Sequence, residues 1–91
     1  MNFENIHNYY EKLVLEHLQD ALIEQQGITD HDLLEDVACV ALNRLPTRYV
    51  RHDVDTAFFT SDEEWQRMEK QVEAAVAAAL DYVRERGDMR D

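Results

Sequence analysis

The sequence predicts a mainly α fold: one domain over 1–91, a small three-helix unit with a short extended or β segment between helices 2 and 3, and a dimeric assembly. Three observations predict it. Segments 5–25 and 61–86 repeat apolar residues at spacings of three and four, the period of an amphipathic helix. Between them, 37–42 contains no polar residue, so that helix has no water-facing side. The only proline, Pro46, then pushes Leu45 towards an extended conformation, and Arg48-Tyr49-Val50-Arg51 follows it.

Length supports a single domain, because chains under about 100 residues rarely subdivide. A monomer of this size buries only about 60–65% of its unfolded surface, so self-association would help it.

The first helix is predicted from Asn5, as N-cap, to Gln25. Ile6, Tyr10, Leu13, Val14, Leu18, Ala21 and Leu22 make its apolar stripe, and Gly27 closes it in the left-handed conformation. His7 and His17 lack the i, i+4 spacing of a metal pair and read as surface or packing histidines.

The second helix starts at Thr29-Asp30, with Asp32 in a first turn that favours anions. Three short helices can hardly bury one of their own on every side, so a second copy of the chain is expected against Leu33–Leu45. Cys39 is expected to fill a core position there as a small hydrophobe. Asn43 caps this helix or holds the following turn.

Beyond Pro46 the extended segment continues through His52-Asp53-Val54-Asp55, and Phe58-Phe59 is expected to return to the core. On a strand, 48 and 50 share one side and 49 and 51 the other. Val50 marks the packed side, which leaves Tyr49 and Arg51 outward. Ser61 with Glu64 three residues later forms a capping box that starts the third helix. Its stripe is Trp65, Met68, Val72, Ala75, Val76, Ala79, Leu80 and Val83, with Gly87 closing it and a frayed tail at 88–91.

The formal charge is −11. It argues against bulk DNA or RNA binding, which needs broad phosphate neutralisation. No apolar run approaches the roughly 18 residues of a membrane span, and nothing resembles a signal peptide. A single cysteine excludes an internal disulfide, so the expected location is a reducing cytoplasm. With glycines only at 27 and 87 there is no phosphate-binding glycine loop. HExxH, CxxC and a serine nucleophile elbow are also absent, so the chain does not read as an enzyme and implies no cofactor.

The junction 36–55 reverses the acidic trend, with three of the nine cations at Arg44, Arg48 and Arg51. Its motif ALNRLPTRYVRHDVD, with the opening NYYEKLVLEHL and, more weakly, the Val72–Val83 helix, resembles the late competence protein ComFB family over most of the chain.

The resemblance implies a non-catalytic regulatory module of second-messenger signalling that binds a cyclic dinucleotide, cyclic di-GMP first among them. The candidate contacts are Arg44, Arg48, Tyr49, Arg51, His52 and Asp53. Their chemistry permits it. Arginine binds phosphate bidentately and reads the O6/N7 edge of guanine, tyrosine stacks on a base, and a carboxylate accepts guanine N–H groups. A homodimer matches a two-fold symmetric ligand.

The competing reading makes the same arginines and aspartates internal ion pairs on a strand. The alternative function is a ligand-free protein–protein adaptor, a homodimer whose acidic faces dock a basic regulatory partner. Many ComFB relatives carry a cysteine cluster before the corresponding helix, taken as a zinc site. This chain has TDHDLLEDV there, so no metal site is expected.

Overall fold

A computed structural model describes residues 1–86. The expected closure at Gly87 and the tail at 88–91 lie outside the described residues. The fold is mainly helical with one small antiparallel sheet. In chain order it runs β1 (His7–Asn8), α1 (Tyr9–His17), α2 (His31–Arg44), β2 (Tyr49–Val50), α3 (Asp53–Phe59) and α4 (Asp62–Arg86). Helices α1, α2 and α4 pack on one another around the core. No helix among the described residues is long and apolar enough to cross a membrane.

The first helix begins later than its periodicity suggests. Phe3–Asn5 forms a 3-10 turn, and Ile6 to Asn8 runs extended. Asn8, not Asn5, is the N-cap of α1: its Oδ1 accepts from the Tyr10 N–H at 3.2 Å. Ile6 therefore leaves the helical stripe and is exposed, whereas Tyr10, Val14, Leu18 and Leu22 are buried as expected. Past His17 the winding widens to a π-helix over Leu18–Gln25. Gly27 closes it at φ 69°, its N–H bound to the Ile23 carbonyl at 3.1 Å, and Ile28 reaches back to Leu22 at 2.9 Å.

Helix α2 starts as read, with Asp30 Oδ1 accepting from the N–H groups of Asp32 and Leu33. Its burial does not match the all-apolar pattern. Val37 and Ala41 are fully buried, Ala38, Val40 and Leu42 are half-buried, and Cys39 is exposed. One chain thus covers a single face of α2, and Cys39 is not a core residue. Asn43 donates from Nδ2 to the Cys39 carbonyl at 2.8 Å, backing the last turn.

Helix α4 follows its expected stripe. The Glu64 N–H donates to Ser61 Oγ at 3.2 Å, and Met68, Val72, Val76, Ala79, Leu80 and Val83 are all buried. Each fully buried valine here contributes about 1.5–3 kcal/mol of transfer free energy. Ala79 and Ala41 have no exposed surface, as expected where two helices approach closely.

The segment after β2 departs most from expectation. Asp53 to Phe59 is a fourth, short helix rather than a continuing strand, and Phe58 and Phe59 point to solvent instead of re-entering the core.

Candidate functional site

The two-residue strands place the candidate residues. Val50 pairs with His7 and Tyr49 with Asn8. The Tyr9 N–H donates to the Arg48 carbonyl at 2.7 Å, and the Arg48 N–H donates to Asn8 Oδ1 at 3.0 Å. One buried asparagine therefore caps α1 and pins the chain that leaves Pro46. In this register Val50 is half-buried against the core and Tyr49 is 67% exposed, the sidedness expected from strand alternation.

The six candidates do not form one cluster. Arg51, His52 and Asp53 line an open cleft of about 520 Å³ with His7, Val54 and Asp55. Tyr49, the exposed residue of β2, stands two residues before Arg51. His7 Nε2 and Asp53 Oδ1 lie 2.7 Å apart and join the β1 edge to the start of α3. His7 is the functional candidate that sequence reading missed. Its partner is 46 positions away, so no local spacing could have marked it.

Arg48 and Arg44 face elsewhere. The Arg48 side chain turns towards the start of α4, 3.9 Å from the Glu64 carboxylate, 3.5 Å from Thr60 Oγ1 and 3.6 Å from Met68 Sδ. These long contacts on a half-exposed side chain are individually weak, and together they pack its stem. Of the intramolecular ion pairs that the competing reading expects on a strand, Asp53 pairs with His7 and Arg48 with Glu64, and neither Asp53 nor Arg48 lies on β2.

Arg44 ends α2 with its guanidinium 5.3 Å from the centre of the Tyr82 ring, which Arg86 approaches at the same distance. Tyr82 lies about 27 Å along α4 from Glu64, at 1.5 Å per residue, so Arg44 and Arg48 reach opposite ends of that helix.

Behind the strand, the Tyr10 hydroxyl donates to Gln71 Oε1 at 2.7 Å. Burial pushes its phenol above the ordinary value, and the charge of Arg48 partly offsets that. Among the described residues no group of three or more His, Cys, Asp or Glu side chains could hold a metal ion.

The cleft's lining carries a guanidinium, two imidazoles and two carboxylates, of which the His7 imidazole and the Asp53 carboxylate are paired with each other. That set suits a ligand that combines anionic groups with a flat hydrogen-bonding ring. In comparisons with known proteins, the model of the family described as late competence development protein ComFB matches residues 7–87. No curated protein and no solved structure matches the chain.

Proposed function

The chain belongs to the ComFB family, and from that premise we propose that it is a non-catalytic regulatory module that binds a cyclic dinucleotide, cyclic di-GMP first among them. One observation carries this reading. Arg51, His52 and Asp53 open onto a single cleft, two residues along the chain from exposed Tyr49, on a chain whose net charge would otherwise repel an anion.

In this reading Arg51 engages a phosphate or the O6/N7 edge of guanine, and Tyr49 stacks on the base. Asp53 is held by His7, so Asp55 is the carboxylate left to accept from the guanine N–H groups. Arg44 lies outside this cleft and belongs to the Tyr82 stack.

Thermal unfolding with a panel of cyclic dinucleotides tests the proposal. Ligand at about 100 times its Kd stabilises the fold by roughly 2.7 kcal/mol, which is expected for cyclic di-GMP and not for cyclic AMP. If no cyclic dinucleotide raises the midpoint at millimolar concentration, the reading fails.

A homodimer through α2 is part of the proposal. Exposed Cys39, flanked by half-buried Ala38 and Leu42 on one edge and Val40 on the other, marks the side of α2 that its own chain leaves incomplete. Light scattering at micromolar concentration is expected to give twice the chain mass of 10.7 kDa. A monomer mass would remove this component.

A further inference from the structure

Helix α3 is built inside out. Among its residues only Thr56 is buried, joined on the inward side by Thr60, whose hydroxyl donates to the Thr56 carbonyl. Val54, Phe58 and Phe59 are 78%, 79% and 78% exposed. At four residues apart Val54 and Phe58 share a helical face, and Phe59 lies four from Asp55 on the adjoining one. The two phenylalanine rings meet edge to face with centroids 5.1 Å apart. A helix that hides threonine and shows phenylalanine holds its apolar area in reserve for another surface.

We propose that α3 is a docking helix whose Val54, Phe58 and Phe59 insert into an apolar groove, rimmed by lysine or arginine, on a partner protein. Charge complementarity identifies the partner. Asp53 and Asp55 precede the aromatic pair, and Asp62, Glu63 and Glu64 follow it. Asp53 is taken by His7 and Glu64 by Arg48. Among the described residues Asp55, Asp62 and Glu63 have no ion-pair partner, so they form an acidic rim that a basic groove would neutralise.

A second copy of this chain fits less well. Two such patches face to face bring like charges together and offer knob against knob with no groove. The acids likewise oppose an anionic lipid surface. Val54 and Asp55 also line the cleft, so a partner seated on α3 would compete with a ligand there.

A lysine–leucine amphipathic helical peptide is the probe, with a lysine–serine peptide of equal charge as control, both read by fluorescence anisotropy against the full chain. The lysine–leucine peptide is expected to bind. Binding should weaken at least about tenfold with Phe58→Ser plus Phe59→Ser. It should also weaken with the rim reversal Asp62→Lys plus Glu63→Lys, which lies outside the cleft, leaves the aromatics in place and covers the case of a phenylalanine variant that misfolds.

Equal affinity in the rim variant, or equally tight binding of the control peptide, overturns the proposal. A mass by light scattering that falls when the phenylalanines are replaced assigns the patch to a second copy and overturns it too. So does sedimentation with phosphatidylcholine vesicles that the same replacement abolishes.

Discussion

Asn8→Ala is expected to destabilise the fold by about 2–3 kcal/mol, and Asn8→Asp by far less. Loss of an N-cap side chain costs about 1 kcal/mol. The same oxygen also accepts from the Arg48 N–H across the chain, and an orphaned, partly buried donor adds about 1–3 kcal/mol. Aspartate keeps an acceptor at the same place and is an equally good cap, so it separates the hydrogen bonds from the volume of the side chain. Urea unfolding followed by circular dichroism measures both variants. An alanine cost of only about 1 kcal/mol would mean that Asn8 caps α1 without organising the strand pair.

The same residue shows where the sequence stops being legible. The periodic part of the chain was readable: the stripe of α4, the Ser61–Glu64 cap, the Asp30 cap and Gly27 at positive φ all stand where local chemistry puts them. The start of α1 was not. Asn5 and Asn8 are equally good caps by type, and only the pairing of His7-Asn8 with Tyr49-Val50 decides between them. A two-residue strand has no period to detect.

Within one chain the apolar run of α2 is covered on one face and Cys39 stays outside, so burial on its other side would fall to the second copy. Phe58 and Phe59 misled, since hydrophobicity alone sent them inward and the fold leaves them out. The site was legible only as a contiguous string. Strand alternation separated Tyr49 from Val50 correctly. Alternation could not show that His7 would face Asp53, or that Arg44 and Arg48 would diverge along α4.

That divergence leads to the second large effect. Tyr49→Ala and Arg51→Ala are each expected to weaken cyclic di-GMP binding by about 1–3 kcal/mol, the size of a lost stacking or bidentate contact. Neither should move the unfolding midpoint, because Tyr49 and Arg51 are exposed and make no side-chain hydrogen bond or ion pair among the described residues. Arg48→Ala should do the reverse. Its stem packs on Met68 and Thr60 and its charge faces Glu64, so its loss falls on stability, by about 1 kcal/mol for a partly exposed pair with its packing. Its effect on affinity should then be small. Calorimetric titration of the three variants, with thermal unfolding alongside, distinguishes the roles. If Arg48→Ala abolishes binding while Arg51→Ala is silent, the ligand sits at the start of α4 rather than in the His7–Asp55 cleft. If all three bind as the wild type does, the cleft is not the site, and Asp53 and His7 are simply a brace between β1 and α3.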